Sequence, residues 1–161
     1  MQKAKEEQSF YLSPFRTEYV VPASMLLCAM DPWLTMEYTP EAFEVYLRQE
    51  DPSLSRFAVM MSQNVGGVLA VRYPWLFGPF IELMAIFDGY RGKGIGSQII
   101  DWACERYNSE NLWATVSSFN LNAQKFYSKA GFEQTTILVD LIKPGWDEIL
   151  LRKRISAADK R

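Results

Sequence analysis

The 161-residue chain contains no histidine. That absence alone removes Ser-His-Asp and Cys-His nucleophile activation, HExxH zinc sites and imidazole proton shuttles, so acid–base chemistry falls to carboxylates, Tyr, Lys, Cys, backbone groups or water. Cysteine is scarce too: Cys28 and Cys104 lie far apart, with neither a disulfide framework nor a metal-ligand spacing, and read as small apolar interior residues. No metal is expected. No apolar run approaches the ~18 residues that span a bilayer, and the polar opening MQKAKEEQSF lacks signal-peptide character, so a cytoplasmic chain with no membrane partner is expected. A formal charge of −2 gives no basic face for nucleic acid, and the five cations between Arg152 and Arg161 read as a solvated strand end and terminus.

What is present is a globular composition, 48% hydrophobic and 22% charged, without repeat, linker or low-complexity tract. One domain over residues 1–161 is expected, with the first ~8 and last ~6 residues flexible. Periodicity alternates between strand and helix. SFYLSPF suits a short first strand, and residues 17–30 a helix interrupted near Pro22. Thr39 and Pro40 open a helix that runs to about Gln49. RFAVMMS and VLAVRYP read as strands around a tight turn QNVGG, and FIELMAIF as a central strand. Apolar residues at 95, 99, 100, 103, 104 and 107 make a helical stripe, LWATV is a strand, residues 120–129 a helix stopped by Gly131, and the C-terminal part a hairpin around KPGW. The fold class is therefore α/β (α+β), with a mixed, mostly antiparallel sheet of about six to seven strands flanked by about four helices.

The densest signal is YRGKGIGS at residues 90–97, three glycines and two cations between the central strand and the helical stripe. Free amides at a helix start, with the macrodipole behind them, bind anions, and glycine lets a phosphate reach the main chain. Two nucleotide patterns fail. Ile95 stands where the Walker motif needs lysine, and Gly92, Gly94 and Gly96 follow one another at spacing two, against GxGxxG.

Arg91-Gly-Lys-Gly94-Ile-Gly96 resembles the Q/R-x-x-G-x-G/A motif of the GNAT superfamily of N-acetyltransferases. Asn120-x-x-Ala123-x-x-Phe126-Tyr127-x-x-x-Gly131-Phe132 resembles a second segment of that superfamily, N-x-x-A-x-x-F/L-Y-x-x-x-G-F, in the right order. The resemblance is specific over residues 80–133. It implies a transferase that takes acetyl-CoA as cosubstrate and an amine as acceptor, either a monomer or a homodimer. By carry-over, the amides of Arg91, Gly92, Lys93, Gly94, Ile95, Gly96 and Ser97 cradle the pyrophosphate. The pantetheine lies against Ala85 and Ile86, while Asn120 and Phe126 contact the cofactor arm. Tyr127 becomes the general acid for the leaving thiolate, a role that suits a phenol with pKa about 10 facing a thiol of about 8.5.

The amine must also lose a proton. Glu82, the only ionisable residue in FIELMAIF, is the candidate base, acting through water; equally, it orients a cationic substrate or pairs with an internal Arg. Strand alternation places it with Phe80, Met84 and Ile86. Acceptor selection would fall to Asp31, Trp33, Glu37 and Tyr38 and to Trp146 with Asp147 and Glu148, which can frame a cation between aromatics. Direct attack in a ternary complex on a small primary amine is the leading expectation. A peptide or ribosomal-protein N-terminus, a non-catalytic acyl-CoA-binding module and a purely structural domain are the alternatives.

Overall fold

The computed structural model describes residues 9–157. The expected flexibility of the extreme termini lies largely outside them. In chain order the elements are β1 (Phe10–Pro14), a 3-10 turn (Thr17–Tyr19), α1 (Val20–Cys28), α2 (Pro40–Arg48), β2 (Leu54–Met61), β3 (Asn64–Trp75), β4 (Gly78–Ile86), α3 (Ile95–Tyr107), β5 (Asn111–Ser117), α4 (Leu121–Lys129), β6 (Glu133–Lys143) and β7 (Trp146–Arg154). They form one seven-stranded sheet of order β1-β2-β3-β4-β5-β7-β6. Short turns join β2–β3, β3–β4 and β6–β7 as antiparallel hairpins, β1–β2 and β5–β7 are antiparallel across longer connections, and α3 carries the chain across between β4 and β5 and leaves that pair parallel.

Local chemistry explains most boundaries. Thr39 accepts a hydrogen bond from the Ala42 amide at 3.2 Å and Pro40 fills the first helical position of α2, as its sequence predicts. The expected break at Pro22 does not occur: Pro22 sits in the first turn of α1, where a backbone N–H would have no helical partner anyway. The turn after β2 is also shorter than QNVGG. Gly66 and Gly67 lie inside β3, where a Cβ on Gly67 would come within 2.3 Å of the Ala85 carbonyl oxygen. Gly67 serves close approach of β3 to β4, Gly66 leaves room for the Met61 and Tyr90 side chains, and neither serves chain reversal.

Helices cover both faces. Val20, Ala23 and Leu27 of α1 and Phe43 and Leu47 of α2 bury one face of β2–β4, while Ile95, Ile99, Ile100, Ala103 and Cys104 of α3 bury the other together with Tyr127 of α4. The stripe read from the sequence is thus the inner face of α3, each isoleucine contributing about 1.5–3 kcal/mol. Cys104 is buried and Cys28 half-buried, and neither forms a disulfide.

One irregularity matters for function. Ala70 pairs with Leu83 but Val71 pairs with Ile81, so Glu82 is an extra residue in β4, a β-bulge. Alternation flips there. Ile81, Met84 and Ile86 pack toward α3 and α4, while Leu83 and Ala85 pack toward α1 and α2. Glu82 therefore does not share the face of Met84 and Ile86, as regular alternation requires, but turns to the α2 side, where it meets Arg72.

Candidate active site

The glycine loop forms a cradle. Gly92 and Gly94 have φ of 74° and 75°, the left-handed region that glycine occupies without penalty, and Gly94 is the N-cap of α3. A Cβ on Gly92 would meet nothing within 4 Å, and one on Gly94 only the Gln98 amide nitrogen at 4.0 Å. The space over these two glycines is open to a ligand. Gly96 differs: its Cβ would lie 3.0 Å from the Phe126 ring, so this glycine lets α3 close on α4. A cavity of about 280 Å³ lies here, lined by Met84, Ile86, Arg91, Gly92, Gly94, Ile95, Gly96, Ser97 and Phe126. First-turn amides of Ile95, Gly96 and Ser97 have no partner within the helix, so the site presents donors and open backbone, as a pyrophosphate requires.

The side chains of Arg91 and Lys93 in the loop, and of Ala85 in β4, are engaged away from the cradle. The Arg91 guanidinium turns back: its Nε donates to the Ile86 carbonyl at 2.9 Å and its Nη1 lies 3.4 Å from Asp88. Lys93 rests its ammonium 5.7 Å from the Tyr90 ring centre. Ala85 points its side chain at α1 and α2 and stands opposite Val68 of β3.

Beyond this cradle the sheet opens. The β4–β5 ladder consists of Phe80 opposite Trp113 and Ile81 opposite Ala114, and past them the strands diverge. A second cavity of about 120 Å³ fills the slit and shares Met84 with the first. Trp33, Glu82, Ser117, Asn120, Tyr127 and Glu148 all line it. A larger cavity of about 490 Å³ lies on the far side of Tyr90, against α1.

Tyr127 reaches the slit from α4, whose ends are well fixed. Asn120 caps its start by accepting from the Ala123 amide at 3.2 Å, and its end closes with Gly131 at φ 89° and the Phe132 amide donating to the Tyr127 carbonyl at 3.0 Å. The ring packs edge-on between Phe126 and Phe132, centroids 5.1 Å away on each side. At 7% exposure, burial pushes the phenol's pKa up, so it is protonated throughout the neutral range.

On the opposite face of the sheet, Glu82 is clamped. Arg72 donates to both of its oxygens, at 2.5 and 3.1 Å, and also to Asp51 and Ser53, each at 2.7 Å. These bonds from Arg72, joined by Ser53, hold the Asp51 carboxyl at about 2. The Tyr46 phenol nearby is pushed up by burial and then by the Glu82 charge.

Glu148 is the residue whose importance the sequence concealed. It faces Ser117 across the β5–β7 ladder, is 3% exposed, and accepts from the Ser117 hydroxyl at 2.5 Å. Burial raises its pKa, while the Ser117 and Thr115 hydroxyls oppose the rise. Tyr38 is raised by its own burial and then by the Glu148 charge. Among the other expected acceptor residues, Trp33 lines the slit and packs edge-on against Phe43. Asp31 caps its own turn through Thr35, Glu37 is exposed at φ 57°, and Trp146 packs on Phe119. The sequence offered Glu148 only as part of an acceptor frame with Trp146 and Asp147; its burial against Ser117 shows only in the β5–β7 register.

Residues 23–132 match the family model of the GNAT acetyltransferases. The chain belongs to that family. Solved GNAT-type structures share its fold. A spermidine N-acetyltransferase chimera from Vibrio cholerae is 20% identical, with a TM-score of 0.73 over 94% of this chain and 99% of that one. An acetyltransferase from Thermus thermophilus is 18% identical, with a TM-score of 0.72 over 91% and 97% of the two chains. The ribosomal-protein alanine N-acetyltransferase of Escherichia coli is 17% identical, with a TM-score of 0.70 over 92% and 95%. A sequence search among curated proteins finds no match. As a GNAT acetyltransferase, the chain is an acyltransferase of a family that uses acetyl-CoA. No helix among the described residues is long and apolar enough to cross a membrane, and none of their His, Cys, Asp or Glu side chains cluster to hold a metal.

Proposed function

We propose that this GNAT protein transfers an acetyl group from acetyl-CoA to the primary amine of a small molecule by direct attack in a ternary complex. The observation that carries the reading is that two cavities share Met84 as a lining residue, one walled by backbone donors and the other by a buried phenol and two carboxylates. Acetyl-CoA supplies the activated acyl group as a thioester. The loop from Arg91 to Ser97 and Asn120, with Phe126 beneath, bind it; Ala85 and Ile86 offer main chain to the pantetheine, which requires Arg91 to release the Ile86 carbonyl. Tyr127 then delivers a proton at sulfur. On the other face, Trp33 and Tyr38 wall the acceptor, while Asp31, Glu37 and Trp146 stand farther out and would meet only its distal parts. A slit of about 120 Å³ favours a slender amine arm over a folded polypeptide end.

Calorimetry with acetyl-CoA tests the cofactor half, and absence of binding at sub-millimolar concentration would overturn the proposal. A thiol-release screen over polyamines, aminoglycosides, amino acids and short peptides tests the acceptor half. Turnover of peptides alone would replace the small amine with a polypeptide N-terminus.

A further inference from the structure

The slit holds two carboxylates, and they are not equivalent. Glu82 is committed: both oxygens are taken by one guanidinium that also anchors Asp51, so protonating Glu82 would break a bidentate, charge-assisted pair. Glu148 has no such partner. Among the described residues no Lys or Arg forms an ion pair with it. Lys143, on the neighbouring strand, donates instead to the Met36 carbonyl and lies 5.7 Å over the Tyr38 ring. The Glu148 carboxylate is held by hydroxyls only, which fix its direction without neutralising it.

Position adds a second argument. Ile149 and Leu151 of β7 pack with the α3–α4 core, so alternation turns Glu148 to the other face, the α1–α2 side. Tyr127 belongs to the α3–α4 side. The reaction must remove a proton at nitrogen and supply one at sulfur, two different atoms. Here a carboxylate and a phenol line one slit from opposite faces of the sheet.

We infer that Glu148 is the catalytic base, its carboxylate taking the proton from the acceptor's ammonium in the slit, while Glu82 with Arg72 is a positioning pair. The inference rests on the N-acetyltransferase reading above. The ammonium gives one proton to Glu148 and the freed lone pair forms the C–N bond at the thioester carbonyl. The C–S bond breaks, Tyr127 protonates the departing thiolate, and the phenolate recovers the proton still on nitrogen. Glu148 finally returns its proton to solvent, so that ammonium and acetyl-CoA give amide, CoA thiol and one proton. The groups facing Glu148 are Tyr38 before α2, Thr115 and Ser117 of β5, Glu82 of β4 and Tyr127 of α4.

The test compares Glu148→Gln with Glu82→Gln in the full chain, using spermidine and an alanine-initiated tripeptide as acceptors. Glu148→Gln keeps the Ser117 hydrogen bond and the volume. It is expected to lower kcat at least about 100-fold, to abolish the acidic limb of the kcat/KM pH profile, and to leave acetyl-CoA affinity unchanged. Glu82→Gln should keep the limb. A Glu148→Gln enzyme within threefold of wild type, or a limb lost in Glu82→Gln and kept in Glu148→Gln, overturns the assignment. A readout independent of acceptor is a carbon-13 carboxyl NMR titration of the acetyl-CoA complex. The resonance missing in Glu148→Gln should titrate above the ordinary glutamate range, and a Glu148 still protonated at pH 9 overturns the base role. Failure of the wild type to bind acetyl-CoA would instead overturn the transferase reading itself.

Discussion

The two cavities that share Met84 as a lining residue are built by different means. The cradle is made of backbone: glycines with left-handed φ, helix-start amides and a strand end, all from one stretch, residues 84–97, with Phe126 beneath. The slit is made of side chains from β4, β5, β7, α4 and the segment before α2, brought together by sheet order. A backbone-built site is committed to one kind of ligand, because its geometry survives most side-chain change. A side-chain-built site is the place where acceptor choice and proton traffic are set, and it can be altered residue by residue.

That contrast is sharpest for Tyr127→Phe, which keeps the ring packing and removes only the hydroxyl. It should lower kcat by roughly 10²–10⁴-fold with acetyl-CoA affinity unchanged. Steady-state kinetics beside calorimetry checks this, and unchanged turnover would remove the general-acid role. Next in size is Arg72→Met, which leaves Glu82 part-buried without its guanidinium and should cost about 1–3 kcal/mol in chemical denaturation. Gly94→Val acts on the other cavity. A branched residue at φ 75° carries a left-handed penalty of about 1–2 kcal/mol and fills the cradle, so acetyl-CoA binding should weaken about tenfold or more while the slit titrates as before.

How much of this was legible in the sequence follows the same division. The loop, the α3 stripe, the Thr39 cap and the Gly131 stop are local, each fixed by residues a turn or two apart, and the structure places them where the sequence does. The bulge at Glu82 is not local. FIELMAIF is apolar on both sides of Glu82, so alternation has no internal check, and the extra residue shows only against the β3 register. Gly66 and Gly67 misled for the same reason, since a glycine pair reads as a turn unless the neighbouring strand is known. Glu148 required the β5–β7 pairing, which skips β6 in the sheet order.

Smaller effects come from titration. Tyr46 and Tyr127 both have pKa values raised by burial, so the stability they contribute is complete below the ordinary tyrosine value of about 10 and is lost as pH rises through their folded-state values. Melting temperature should fall steeply above pH 10, and Tyr46→Phe should flatten that fall. Glu148 has the same sign at lower pH: its raised pKa means stability is lost as pH climbs from the ordinary glutamate range through the raised value. Glu148→Gln should therefore melt slightly higher than wild type at pH 7, even as it loses activity.

The divergence of β4 from β5 has a mechanical side. β1 to β4 are neighbours in the sheet and all fall between Phe10 and Ile86, and β5 to β7 occupy Asn111 to Arg154, so the slit divides the sheet where it also divides the sequence. Two ladder pairs, the packing of α3 and side-chain bonds from Asn111 and Trp113 to the carbonyls of Phe77 and Leu76 hold these blocks together. Amide exchange should open the seam at Phe80, Ile81, Trp113 and Ala114 before it opens either block, and a chain cut within residues 88–93 should reassemble from its two pieces.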